Sequence, residues 1–147
     1  MRVSPAGAAL IRHFEGFSPV AYRCPAGLLT IGYGHVLAAD ESLRVIDKAA
    51  AEILLRNDLV AVEASIRRLI RRSLSSTQFD ALASFTFNLG AGALQRSRLR
   101  RLVNRRTDEA VPRELMRWVH GGGRILPGLI ARRQAEARLY QGMPAFI

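Results

Sequence analysis

The sequence predicts an α+β protein, mainly helical, with a small β-hairpin lobe, a long connecting helix and a helical carboxyl-terminal lobe. Three observations carry this expectation. Apolar residues recur at helical spacing over most of the chain after Asp47, whereas aromatic and β-branched residues interrupted by glycine and proline are confined to residues 18–35. One uninterrupted amphipathic run near residues 47–70 is long enough to join two packed bodies. The 147 residues are therefore expected to form one domain, with the hairpin lobe at about 1–46, the connecting helix at about 47–70 and the helical lobe at about 71–147.

Ser4-Pro5 reads as a helix start, because serine caps exposed amides and proline at the first helical position loses no needed donor. Ala6, Leu10 and Phe14, with Ile11 beside them, give that helix an apolar face, and Gly16 stops it. Glu15 then sits at the carboxyl end, where the helix dipole disfavours a negative charge. Tyr22-Arg23-Cys24 and Leu29-Thr30-Ile31 read as two short strands around a Pro25-Ala26-Gly27 turn. The glycines flanking Tyr33 suggest a close approach to another element or to a ligand.

Asp47 caps the long helix, on which Leu55, Leu59, Val62, Ile66 and Leu69 form the apolar stripe between charged residues. Ser75 and Gln78 have the spacing of a capping box, opening a helix that Gly90 and Gly92 end. Residues 94–104, 109–119 and 129–140 read as three further amphipathic segments, separated by Thr107-Asp108, Gly121-Gly122-Gly123 and Pro127-Gly128.

Composition narrows the function classes. A hydrophobic fraction of 49% supports a real core without disulfides, and one cysteine with three scattered histidines excludes a disulfide scaffold and a zinc finger. No stretch approaches the roughly 18 apolar residues of a membrane span, and the first residues lack a secretion-signal pattern, so folding in a cytoplasm is expected. The net charge of +10 arises wholly after residue 60, and all the cations but Lys48 are arginine. That composition fits bidentate recognition of carboxylate or phosphate and predicts a polyanionic partner: nucleic acid, acidic wall polymer or anionic lipid.

The most informative segment runs from Glu15 to His35. It sets an acid at a helix end, then a thiol and then a hydroxyl, with eight and then five residues between them and a hairpin bringing the last two together. An acid facing two groups that can hold a water is what hydrolysis of a glycosidic bond requires. His35 reads as structural, paired with a carboxylate such as Asp40 or Asp47. Trp118, Phe79, Phe85 and Phe87 stand at helical spacing and read as core.

This segment resembles the phage-type lysozymes, the glycoside hydrolase family 24 endolysins. Their hallmark is a glutamate, an aspartate or cysteine and a threonine at this spacing, inside a Glu-Gly…Ala-Tyr…Thr-Ile-Gly-Tyr-Gly-His frame, and Glu15, Cys24 and Thr30 match it. The likeness continues through Gln78-Phe79-Asp80-Ala81-Leu82, Phe87-Asn88-Leu89-Gly90, Leu115-Met116-Arg117-Trp118 and Pro127-Gly128-Leu129…Arg132-Arg133…Glu136.

The resemblance implies a two-lobed lysozyme-like fold and hydrolysis of the β-1,4 bond between N-acetylmuramic acid and N-acetylglucosamine in peptidoglycan, for lysis of a host bacterium. It implies Glu15 as general acid and Cys24 and Thr30 as the pair that positions the attacking water, with Cys24 as nucleophile the alternative. Tyr33, Phe87, Asn88 and Arg132 would meet the sugar chain, and either Arg132 or Arg133 would also hold Glu15 in place. It further implies a monomer with no metal or cofactor, no stable membrane insertion and no nucleic-acid partner. Such a protein accumulates in the host cytoplasm and crosses the inner membrane through a separate holin. Two other readings stand beside it: a catalytically silent murein-binding or structural protein on the same fold, and a basic nucleic-acid binder supported only by the arginine pairs.

Overall fold

The computed structural model describes the whole chain, Met1–Ile147. Helix α1 (Pro5–Glu15) begins at Ser4, whose side chain accepts the Gly7 N–H, and ends at Gly16, where φ is 69°. An antiparallel sheet follows, of β1 (Ser18–Arg23), β2 (Leu29–Gly32) and β3 (His35–Val36), in that spatial order. Tyr22 lies opposite Thr30, and Arg23 opposite Leu29. The first strand starts earlier than its sequence suggests and stops one residue before Cys24. There Cys24 N–H donates to Leu28 O at 2.9 Å and Gly27 N–H to Cys24 O at 2.7 Å, closing the turn. The third strand was not foreseen, because two residues are too few to show alternation.

Asp47 caps α2 (Lys48–Leu69) by accepting the Ala50 N–H. Its 22 residues span about 33 Å and serve two separate cores. Ala51, Leu55 and Leu59 pack with Ile11, Ile31, Tyr33 and Ile46 in the smaller core. Ile66 and Leu69 belong to the larger one, with Leu10, Phe85, Leu94, Leu99 and Leu115 among its members. Adjacent residues of α1, Leu10 and Ile11, therefore face different cores. Glu63, a charged residue interleaved with the apolar stripe of α2, is buried and accepts the Val3 N–H at 2.6 Å.

Helix α3 (Ser76–Leu89) opens with the expected capping box between Ser75 and Gln78 and ends at Gly90. The segment expected at 94–104 is two helices, α4 (Ala91–Arg96) and α5 (Arg98–Asn104), broken at Ser97. Ser97 donates its hydroxyl to Leu94 O and accepts the Arg100 N–H, so one side chain ends one helix and starts the next. The segment expected at 109–119 is shorter as well: a 3-10 turn at Asp108–Ala110 leads into α6 (Val111–Leu115). Pro112 lacks an N–H and is confined to that helix's first turn. The Gly121-Gly122-Gly123 stretch, read as a spacer, forms the turn of a small hairpin, β4 (His120–Gly121) with β5 (Arg124–Ile125).

Helix α7 (Pro127–Tyr140) packs on α3 and α6 and carries charge on its inner face, since Arg132, Arg133 and Glu136 are all buried. Trp118 stands edge-on to Phe85 at 5.3 Å.

The chain's first turn is pinned to the core through Asp80. This buried carboxylate on α3 accepts the Ser4 N–H at 2.9 Å and the Ser4 hydroxyl, while Ser4 caps α1. Asp80→Ala strands those donors, and we expect it to lower unfolding stability in urea by about 3 kcal/mol. An unchanged midpoint would show that α1 does not need this anchor.

Candidate active site

Glu15 ends α1, where no backbone amide is available to neutralise it. The missing positive charge comes from the other end of the chain: Arg132 Nη1 on α7 donates to Glu15 Oε2 at 2.5 Å. Arg132 is itself fixed. Its Nε donates to Ser84 Oγ and its Nη2 to Ser84 O, both at 3.2 Å, and its guanidinium lies over the Phe14 ring at 5.7 Å. Of the two adjacent arginines, it is Arg132 that meets Glu15.

Arg133 points into a second, linked cluster. Ser84 Oγ donates to Glu136 Oε1 at 2.7 Å, and Arg133 Nη2 donates to the same oxygen at 2.9 Å and to Asn88 Oδ1 at 2.8 Å. Arg133 Nε stands 2.8 Å from Glu136 Oε2, off the angle of a hydrogen bond, as an ion contact. Glu136 has no exposed surface, and burial together with the charge of Arg132 lowers the pKa of Arg133 against the pull of Glu136. Two guanidiniums and two carboxylates thus connect Glu15 to Asn88 without leaving a buried charge unpaired.

The sheet supplies the facing wall. Gly34, at φ 73°, passes so close beneath the Glu15 carboxylate that a Cβ there would collide with it. Gly34 and Val36 line one side of a groove of about 310 Å³, while Asp58, Val62 and Ser65 of α2 and Thr86 and Phe87 of α3 line the rest. Phe87 is half-buried and bridges the groove to the smaller core. Neither this groove nor a separate cleft of about 210 Å³ between residues 2–12 and α2 has Glu15, Cys24 or Thr30 in its wall; the groove reaches Glu15 through Gly34, which the carboxylate overlies.

Cys24 and Thr30 are neighbours at the hairpin turn: Thr30 lies opposite Tyr22, two residues before Cys24, and its hydroxyl donates to Leu28 O at 3.1 Å beside the thiol. Cys24 is half-exposed and Thr30 buried. The Leu28 amide above all, then the Thr30 hydroxyl and the Ala26 amide, hold the thiol below its ordinary pKa of 9.0, against a smaller effect of burial. Tyr22 is a neighbour the sequence did not single out. Burial, then the charges of Glu15 and Cys24, raise its pKa, so its hydroxyl lies within electrostatic reach of both.

The remaining candidates are spread more widely. Tyr33 is almost wholly buried, its ring 5.6 Å from that of Phe17 in the smaller core. Asn88 is half-buried, with its carbonyl oxygen committed to Arg133. Arg132 is 3% exposed and committed to Glu15 and Ser84. No group of three His, Cys, Asp or Glu side chains converges to hold a metal ion.

His35 does not pair with Asp40 or Asp47. Its Nδ1 lies 2.9 Å from Asp58 on α2 and its Nε2 3.1 Å from Glu41, so it clamps β3 to the long helix. Spacing alone could not find these partners, because Asp58 is 23 residues away. Burial opposes a charge on His35, but the hydrogen bonds its ring donates to the Asp58 and Glu41 carboxylates outweigh it and raise the pKa above 6.5. A raised folded-state pKa means that the clamp's stabilisation is fully present below the unfolded value and is lost as pH rises through the folded one. The difference in thermal midpoint between wild type and His35→Gln should therefore shrink as pH climbs above about 6.5. A pH-independent difference would show that the ring is held neutral.

A family model described as phage lysozyme matches residues 12–136. An endolysin of Acyrthosiphon pisum secondary endosymbiont phage 1 is 38% identical over 96% of this chain and 99% of its own length. An endolysin of Bacillus phage B103 is 36% identical over 95% of this chain, which spans only 54% of that relative's length. Among solved structures, the muramidase domain of SpmX from Asticaccaulis excentricus is 36% identical and superposes with a TM-score of 0.85, covering 95% of this chain and 97% of that one.

Proposed function

Starting from the fact that the chain belongs to the phage lysozyme family, we propose that it is an endolysin: a muramidase that hydrolyses the β-1,4 bond between N-acetylmuramic acid and N-acetylglucosamine in bacterial peptidoglycan. The observation that carries this reading is the acid at the end of α1, tethered by Arg132 and suspended over Gly34 beside a groove, with the Cys24 and Thr30 pair on the adjoining hairpin.

In this reading Glu15 donates a proton to the leaving glycosidic oxygen. Arg132 turns the carboxyl toward the groove and acts through Glu15, not on the sugar. Cys24 and Thr30 hold the water that attacks the anomeric carbon from the opposite face, which gives inversion. The lowered thiol pKa supports this role, since a thiolate is the better base and hydrogen-bond acceptor for that water. Phe87 and Asn88, at the groove end of α3, contact the glycan, and Tyr33 supports the hairpin from within. Peptidoglycan is the partner; action as a monomer, storage in the host cytoplasm and passage to the wall through a holin complete the proposal. No helix is long and apolar enough to cross a membrane.

The decisive experiment is turbidity loss of outer-membrane-permeabilised Gram-negative cells, with mass spectrometry of the released fragments. Wild type should release reducing-end muramic acid products, and Glu15→Gln should lower the rate by about a thousandfold or more while still folding cooperatively, at a lower melting temperature because the buried Arg132 loses its counter-charge. Full activity in that variant would remove Glu15 from the mechanism, and no clearing by either form would favour the silent murein-binding reading.

Cys24 makes a separate prediction. If the thiolate positions the water, the rate rises with pH through the lowered thiol pKa, on a limb that lies below 9.0. Cys24→Asp should keep much of the activity and lose that limb, and Cys24→Ser should lose most activity at every pH. Equal profiles in all three proteins would show that the position is not catalytic.

A further inference from the structure

A strongly cationic surface lies outside the candidate site. Arg71, just beyond α2, Arg96 of α4, Arg100 and Arg101 of α5, and Arg105, just beyond α5, surround a shallow hollow of about 360 Å³ with no carboxylate and no apolar side chain in its wall. On the other flank of α5 a second hollow of about 470 Å³ adds Arg98, Arg113 and Arg117. Glu114 is the only carboxylate in either wall; it is buried and reaches Arg117 alone, at 3.4 Å. None of the five arginines of the first hollow makes an ion pair.

Internal structure accounts for one of these side chains. Arg100 Nε donates to Leu69 O at 3.2 Å and its Nη1 to Gln95 O at 3.1 Å, closing the end of α2. Asn104 does the same work through Leu69 O and the Arg71 N–H. Arg96, Arg101 and Arg105 are exposed and donate no hydrogen bond from their side chains within the protein. Packing like charges together is unfavourable unless a counter-charge arrives from outside.

We propose that this face docks on an anionic phospholipid surface, through phosphate headgroups set between the guanidiniums. A guanidinium fork matches phosphate bidentately. The cations are spread over two hollows on either side of one short helix, which suits a sheet of many phosphates better than one bound anion. Leu102 and Ala110 are the only apolar side chains in either wall, so the contact is peripheral and electrostatic, without insertion. The face adjoins one end of the groove. Ser65 on the last turns of α2 lines the groove and Arg71, two residues past the end of that helix, lines the hollow, and α4 starts at the groove with Ala91 and ends at the hollow with Arg96. The choice of lipid over other polyanions rests on the muramidase reading, because an enzyme acting on the wall works beside phosphate headgroups.

The test is co-sedimentation of the full chain with vesicles of phosphatidylglycerol and phosphatidylcholine in equal parts, against pure phosphatidylcholine. Wild type should bind the anionic vesicles only, and salt at about 0.5 M, where the Debye length is about 4 Å, should release it. R96E/R101E/R105E should weaken binding by about a hundredfold or more, whereas R44E/R56E/R124E, with the same change of net charge, should bind nearly as wild type does. Both variants should melt as wild type does and hydrolyse purified, lipid-free peptidoglycan at its rate.

Equal loss in the two variants would reduce the effect to net charge and overturn the proposal. So would absence of wild-type binding, or binding to duplex DNA stronger than to the vesicles. Loss of lipid-free hydrolysis in R96E/R101E/R105E would assign the face to the glycan instead. Vesicle binding without any peptidoglycan hydrolysis by wild type would refute the muramidase reading and leave the docking face standing.

Discussion

The structure is organised around one electrostatic problem: a carboxylate held at the wrong end of a helix. The carbonyl end of α1 repels the Glu15 charge, and the basic side chains of the same turn are engaged elsewhere, Arg12 with Glu52 and His13 with the Phe14 and Phe146 rings. The cation that offsets it comes from α7, 117 residues away, and is almost wholly buried. A buried guanidinium is costly to desolvate, so Arg132 requires Ser84 beneath it and the Arg133–Glu136 pair alongside. Holding one surface acid therefore commits the inner faces of α3 and α7 to polar residues that would otherwise have been leucines. That choice contributes direction more than stability, since a well-packed apolar core of the same volume is often at least as stable as a buried ion network.

The second constraint is that the hairpin must stay in register with that acid. Gly34 lets β3 pass directly under Glu15, and His35, the next residue, fastens the same strand to Asp58 on α2. Because α2 packs into both cores, the position of the hairpin relative to the helical lobe is set along one rigid rod. Thr30 and Cys24 inherit their placement from this arrangement, through the β1–β2 pairing on one side and the Cys24–Leu28 turn on the other.

Arginine is used in two opposite ways. Arg132 and Arg133 are interior, paired and immobilised; those around α5 are mostly exposed, and of them only Arg117 meets a carboxylate, Glu114. The strong basic bias after residue 60 is thus two populations with different physics. Only the exposed one contributes to the long-range field, because the interior cations are neutralised within a few ångströms by Glu15 and Glu136.

Sequence alone determined whatever depends on neighbours a few residues apart. The caps at Ser4, Asp47 and Ser75, the stop at Gly16, the stripe on α2 and the hairpin that joins Cys24 to Thr30 are all local, and each was legible. The motif frame around Glu15 carried the family, because a spacing pattern survives where contacts cannot be seen. Breaks at Ser97 and Pro112 went unread: a serine or proline inside an amphipathic run is compatible with either a continuous helix or a restart, and packing decides which. Tertiary structure alone chose Arg132 over its neighbour for Glu15, Asp58 and Glu41 over Asp40 and Asp47 for His35, and interior over surface for Glu63 and Glu136. The physical reason is common to all four. A charged side chain's partner is fixed by which faces meet across the core, and sequence periodicity states only that a face exists, not what lies against it.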